Sequence, residues 1–437
     1  MMPRLLSVLW GGALLGCLLL PAAAAADHPG VEDPVSETPT AQPEGPSLPV
    51  FNPTEEEKSP PEKEGAAAHP AKEPETPAKA AEPEPPPKRV LSPAMGALRD
   101  RVRRTLAYYR GQPLHMQENT ATEVLDACLA FGCSTQVYRA ASGQKANAIG
   151  SLCWNLPCAG RPPLVVSGGH VAARIGFGFQ QRPGQMLAML AQARVPADYP
   201  IRADQKSRSI ADLVEYEKLS CRAGTDLSLK LIGLAYYVDE PTWQNDLGEE
   251  WSIERIVQEE LGQPLARAAD GGTTRLLGLT YAIQERLKHK QPVEGEFARA
   301  QKLIAECQAF ALRQQNSDGS WGPNFFVTKA ASRDPAVQLR STGRVLEWLA
   351  FSLPEDRLGD PGVVRSVDRL NELLAGSRYQ GNVRALDTAA LGSVMHALHA
   401  LAIYDERWFK PADVEKPAAE GKKAVAAERT RTPTRSQ

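Results

Sequence analysis

The residues best able to do chemistry lie far apart along this chain, and the spacing of each group limits its use. His396 and His399 stand three apart in DTAALGSVMHALHALAIY, neighbouring positions on a helix. With Cys221 and Asp226 they supply the ligand types that zinc accepts. No CxxC, HxxxH or HExxH spacing accompanies them, so they read as packed or hydrogen-bonded side chains, with no metal and no cofactor expected. Acid–base chemistry would require Glu347, Asp226 or His396 to gather with a cation such as Arg344. Of seven cysteines, six follow residue 26, and Cys128/Cys133 and Cys153/Cys158 share a C-x4-C spacing. In an oxidising compartment that spacing admits local disulfides without fixing their pairing, although Cys128 on an apolar helix reads more simply as a packed thiol.

Composition shows which parts of the 437 residues could position such groups. Residues 1–26 have a short basic start at Arg4, an apolar run from Leu5 to Leu20, then Pro21 and alanines offering A-x-A sites, the pattern of a secretory signal peptide. A lipoprotein box at Leu14-Leu15-Gly16-Cys17 is the weaker alternative, because the apolar run continues past the cysteine. Residues 27–90 are mostly Pro, Glu, Ala and Lys and predict an acidic, disordered linker, since they cannot bury enough apolar surface to offset ordering entropy. Residues 410–437 read as a mildly basic disordered tail. The signal would leave an exported mature chain, periplasmic or secreted, with no transmembrane span. A net charge of -2 argues against a strongly charged partner such as nucleic acid.

Residues 91–409 are long enough for a sizeable core, and their periodicity is helical throughout. Striped, one-faced helices alternate with helices apolar nearly all round. Ser209–Leu219 precedes Asp226–Val238, a helix capped by Ser252 precedes Thr273–Leu287, Glu296–Arg313 precedes Leu339–Leu353, and Pro361–Leu374 precedes Asp387–Tyr404. Ala94–Arg110 with Thr120–Phe131, and a poorer pair near Ala146–Trp154 and Gln185–Ala193, bring the number of helical hairpins to six. Six such hairpins predict an all-α fold, an (α/α)6 toroid in which each one-faced helix shields an apolar one. The apolar helices would run parallel, gathering their N-termini at one mouth suited to anionic or carbonyl-rich ligands. Thr225, Asp226, Thr273, Thr274, Arg275, Ser341, Thr342, Arg344 and Asp387 would line that rim, with Gln185 and His170 from the preceding loops. Caps and ion pairs within helices account for many of these residues without any ligand, Asp387 being best placed as an N-cap.

One stretch identifies the architecture more closely. QQNSDGSWG, residues 314–322, ends a long helix in a glutamine, a turn at Asn316–Gly319 and a large aromatic. Gly319 supplies the backbone freedom of the turn, Trp321 can fold back over helix ends, and Gln315 can bond to unpaired backbone groups. The stretch resembles the QW motif of the terpenoid cyclase and protein prenyltransferase superfamily, whose barrels are α/α toroids. The resemblance implies a structural role for Gln315, Gly319 and Trp321, clasping repeats together. The superfamily's chemistry does not carry over. Where class II cyclases place the proton-donating acid of D-x-D-D-T-A, this chain has Leu386 before Asp387-Thr388-Ala389, and it has no D-D-x-x-D box. Gly132-Cys133-Ser134-Thr135-Gln136 keeps the Cys-to-Gln spacing of complement-type thioester proteins but not the central pair of their motif. The sequence therefore points first to an exported, non-catalytic toroid that binds a protein or small molecule, and second to an enzyme acting in the cavity, such as a polysaccharide lyase or hydrolase.

Overall fold

The computed structural model describes residues 90–410 apart from 140–142, 205, 266–267, 377–378, 380 and 382. The signal-peptide, linker and tail assignments lie outside these residues, except for Val90 and Lys410 at their edges. Helices dominate, and among the described residues none is long and apolar enough to cross a membrane.

The helices form where periodicity and caps place them. They are α1 (Pro93–Arg110), α2 (Ala121–Phe131), α3 (Ala148–Cys153), α4 (Gln185–Gln192), α5 (Ile210–Leu219) and α6 (Ser228–Tyr237), followed by α7 (Ile253–Leu261), α8 (Thr273–Lys288), α9 (Gly295–Gln314), α10 (Pro335–Ser352), α11 (Pro361–Ala375) and α12 (Thr388–Tyr404). Thr120 caps α2 in a reciprocal capping box with Glu123, Ser252 accepts from the Arg255 N–H at the start of α7, and Asp387 accepts from the Ala390 N–H at the start of α12.

Burial separates two kinds of helix. In α1 only Leu98, Val102, Leu106 and Tyr109 are buried, a single stripe, whereas α8 buries nearly every residue from Thr273 to Ile283. The even-numbered helices pack on one another in series: α4 on α6, α6 on α8, α8 on α10, α10 on α12 and α12 on α2, which also touches α4. The odd-numbered helices cover them, with α5 and α7 against α6, α9 against α8, and α11 against α10 and α12, while α1 lies on α11 and α12. Glycines permit the closest approaches: a Cβ at Gly278 of α8 would stand 2.6 Å from the Ser228 carbonyl of α6, and one at Gly343 of α10 would stand 3.2 Å from Ala397 of α12.

Short strands qualify the all-α expectation. Nine occur among the described residues, the longest of four residues, in the hairpins β4 (Leu164–Ser167) with β5 (His170–Ala173), β6 (Pro200–Ala203) with β7 (Lys206–Ser209) and β8 (Trp243–Gln244) with β9 (Glu250–Trp251), and in a three-stranded patch of β1 (Leu114–His115), β2 (Gln136–Tyr138) and β3 (Lys145–Asn147). They occupy connections between helices and are too short to leave an alternation in the sequence.

Candidate functional site

A cavity of about 770 Å³ lies among the even-numbered helices. Its wall draws on residues of all six: Thr122 to Leu129 of α2, Gln185 to Gln192 of α4, Leu229 and Ile232 of α6, Thr273 to Leu277 of α8, Arg340 to Trp348 of α10, and Thr388 to His396 of α12. Thr122, Gln185, Leu229, Thr273 and Thr388 stand within the first two residues of α2, α4, α6, α8 and α12, so these five helices begin at the cavity wall, where backbone N–H groups and helix dipoles favour negative or acceptor groups.

The charged side chains of the wall are ordered by one another. Asp270 adopts a left-handed backbone (φ 57°) ahead of Gly271 and Gly272, both also at positive φ. That turn holds its carboxylate over the start of α8, where Thr274 Oγ1 donates to it at 3.1 Å. Arg182 and Arg344 both reach the same oxygen of Asp270 at 3.2 Å, and Arg182 also grips Asp226, its Nε donating at 2.8 Å. Burial works to raise the Asp270 carboxyl, but Arg344, His396 and Arg182 hold it below the usual range. Asp226 is likewise held low, against the effect of its burial, by Arg182 and by hydrogen bonds from Ser228.

Deeper in the cavity, Glu347 of α10 is clamped by both histidines of α12. His396 Nδ1 lies 2.8 Å from one carboxylate oxygen and His399 Nδ1 lies 2.7 Å from the other. Although burial opposes ionisation of Glu347, the two imidazoles keep its carboxyl far below the ordinary range. His396 lines the cavity and has its Nδ1 committed to Glu347, so its Nε2 is the ring atom left for a ligand. Asp126 of α2 faces the same space. Burial pushes its carboxyl up to about 6, outweighing the lowering effect of His396 and Arg344, while Glu347 and Glu123 add to the rise. Gln185 contacts Asp126 with its amide nitrogen at 3.5 Å. Trp348, fully buried, and Gln192 complete this region of the wall, and neither the Trp348 indole N–H nor the Gln192 amide oxygen has a hydrogen-bond partner in the protein.

The residues expected at the rim divide into two groups. Gln185, Thr273, Thr274, Arg344, Glu347 and His396 line the cavity. Asp226 touches it through Arg182. Arg275 points away: its guanidinium donates at 2.9 Å to the fully buried Glu260, which also accepts from the Leu227 N–H and the Ser228 hydroxyl and so ties α7 to α6 and α8. Thr342 is buried and accepts from the Trp321 backbone N–H at 3.2 Å, and Ser341 donates to the Trp321 carbonyl. Thr225 is exposed and donates to the Arg222 carbonyl, Asp387 is an exposed cap, and His170 sits on β5 with Nδ1 3.5 Å from Asp212. Position in sequence could not separate these cases, because a helix start presents side chains to several neighbours at once.

Asp126, Asp270, Arg182, Arg340 and Trp348 were missing from the sequence-based set. Asp126 did leave a signal, a lone carboxylate between apolar neighbours in EVLDACLAF. The four residues of zinc-accepting type have other partners: Cys221 Sγ lies 3.4 Å from the Glu217 carbonyl, Asp226 binds Arg182, and both histidines bind Glu347. Among the described residues no three His, Cys, Asp or Glu side chains group as a metal would require. Cys128, Cys133, Cys153 and Cys158 are all free thiols, so neither C-x4-C spacing forms a disulfide, and Cys133 directs its sulfur to the Ala193 carbonyl at 3.2 Å while Gln136 is exposed on β2. No protein-family model matches this chain, and neither the curated proteins nor the solved structures contain a match to it.

Proposed function

We propose that this chain is an exported (α/α)6 toroid, akin to the terpenoid cyclase and prenyltransferase superfamily, whose cavity binds a polar small molecule without transforming it. The return of the helix series from α12 to α2 supports the toroid, and the setting of Gln315, Gly319 and Trp321 supports the kinship. Export rests on the sequence pattern of residues 1–26, and recovery of a chain beginning near residue 27 from the cell envelope or the medium would test it.

The observation carrying the ligand reading is the cavity of about 770 Å³ at which α2, α4, α6, α8 and α12 begin, with Arg182, Arg340 and Arg344 in its wall. Its volume falls within the usual range for small-molecule sites. Three guanidiniums, Arg182, Arg340 and Arg344, add donors for an acceptor-rich ligand. Melting of the purified chain should be measured with oligosaccharides, dicarboxylates and prenyl alcohols as probes. A polar probe is expected to raise the melting temperature, and Arg340→Gln, which removes a guanidinium from the cavity wall, should reduce that rise. Stabilisation by prenyl alcohols alone, or by none of the probes, would refute the reading.

A second reading, an enzyme, is favoured by one observation. Asp126 is held as an acid up to about pH 6 beside His396, whose imidazole Glu347 orients. Carboxyls with divergent pKa values in one cavity are a usual arrangement for acid–base work. Both oxygens of Glu347 are occupied by imidazoles, so it could orient a base but serve poorly as one itself. Turnover of any probe that stops in both Asp126→Asn and His396→Ala would establish this reading over the first.

A further inference from the structure

Four of the helices that begin at the cavity wall bring the same kind of side chain to it at the same position. Leu125, Met189, Ile232 and Leu277 are each the fifth residue of their helix, α2, α4, α6 and α8, about one turn in from its start, and all four line the cavity. These helices follow one another in the packing series, α2 touching α4, α4 packed on α6 and α6 on α8. The four side chains therefore succeed one another around the wall as an apolar arc, which Leu129 extends by a further turn along α2.

The wall beyond α8 is α10, and it carries the charge. Arg340, Arg344 and Trp348 follow at intervals of four on one face of α10 and line the cavity along about 12 Å of helix. Burial gives that face a direction: Arg340 is exposed, the Arg344 side chain is 23% exposed and Trp348 is fully buried, so Arg340 marks the mouth. The other two guanidiniums are matched, Arg344 by Asp270 and Arg182 by Asp226 and Asp270. Glu347 is matched by its two histidines, and Asp126, beside Gly392 of α12, keeps its proton to about pH 6. Arg340 alone of the three arginines has neither a hydrogen bond nor an ion pair among the described residues. A guanidinium accepts a carboxylate in paired hydrogen bonds, and an apolar arc accepts hydrocarbon. A neutral sugar would leave Arg340 without a counter-charge, and a short dicarboxylate would set its second charge against the arc.

We propose that the ligand of this cavity is a small monocarboxylic acid with an apolar chain, its carboxylate on Arg340 and its chain along Leu125, Met189, Ile232 and Leu277, an inference that rests on the ligand-binding reading above and names its ligand class. The purified full chain is titrated calorimetrically with butanoate, hexanoate and octanoate, and with succinate and 1-octanol as controls, at about pH 5.5, where the acids are ionised and Asp126 is mostly not. Affinity should rise about fourfold for each methylene from butanoate to octanoate. Octanoate should bind at one site per chain and about tenfold or more tighter than octanol. Arg340→Gln should abolish that advantage while leaving the octanol affinity and the melting temperature of the free chain unchanged, because Arg340 is exposed and unpaired; Arg340→Lys should keep most of it. If succinate binds and affinity does not rise with chain length, the apolar-acid class is refuted while the cavity reading stands. If octanol binds as tightly as octanoate, or if Arg340→Gln leaves octanoate binding unchanged, the seat of the carboxylate is refuted. Failure of the acids, of succinate and of the oligosaccharides to bind the unaltered chain would overturn both readings.

Discussion

At the scale of single residues, Asp126 makes a prediction that does not depend on knowing the ligand. The unfolded chain releases the Asp126 proton near the ordinary value of 3.8, whereas the folded chain keeps it to about 6. Between those values the folded state binds more protons than the unfolded one, so this group's contribution to stability falls as pH rises and then levels off above about 6. The difference corresponds to about 3 kcal/mol. Asp126→Asn should therefore be more stable than the unaltered chain at pH 8 by up to about 3 kcal/mol, with the gap closing near pH 4. Urea unfolding at the two pH values measures it, and a gap independent of pH would contradict it. Glu347 acts in the opposite sense: its depressed carboxyl stabilises the fold fully above the ordinary carboxylate range, and that stabilisation is lost progressively as pH falls from that range toward the far lower folded pKa. Sequence reasoning reached Glu347 and His396 as types but not their pairing, because their separation of 49 positions is bridged only when α10 packs on α12.

At the scale of elements, the turn after α9 does most to fix neighbours in place. Gln315 Nε2 donates to the Gly362 carbonyl at 2.9 Å and to the Ser366 hydroxyl at 2.5 Å, joining the end of α9 to the first turns of α11. Trp321 is fully buried and its indole donates to the Ala311 carbonyl of α9 at 2.7 Å. Gly319 has φ 87°, and a Cβ there would stand 2.6 Å from the Arg365 carbonyl. Gln315→Ala should cost about 2 kcal/mol and Gly319→Ala at least as much. Because both changes loosen one junction, the double variant should lose less than the sum. Thermal or urea unfolding of the three variants provides the check, and strict additivity would mean that the two residues act separately. The helices around this turn were legible from stripes, caps and the motif itself. The hairpins between α2 and α5 were not, since strands of two to four residues owe their form to the helices on either side.

At the scale of the whole molecule, the packing of α12 on α2, and of α1 on α11 and α12, joins the two ends of the described chain. Tyr109 of α1 donates to the Leu374 carbonyl of α11 at 2.8 Å, Thr388 at the start of α12 donates to Glu123 of α2 at 2.7 Å, and Arg103 of α1 pairs with Asp405 just after α12. A chain ending at Leu386 would leave the apolar faces of α2 and α10 uncovered. It should lose the single cooperative unfolding transition and aggregate, as calorimetry and light scattering would show, whereas ending the chain at Lys410 should leave both unchanged. The order in which helices meet could be guessed from their alternation, but which side chains enter the cavity could not, because that depends on the rotation of each helix about its own axis.

The junction of α12 with α2 also has a consequence in time. A ribosome releases α2 nearly 270 residues before α12, so the N-terminal helices must wait, with one flank bare, until the last partner emerges. The interval between those two events is when a chaperone would have the most surface to hold.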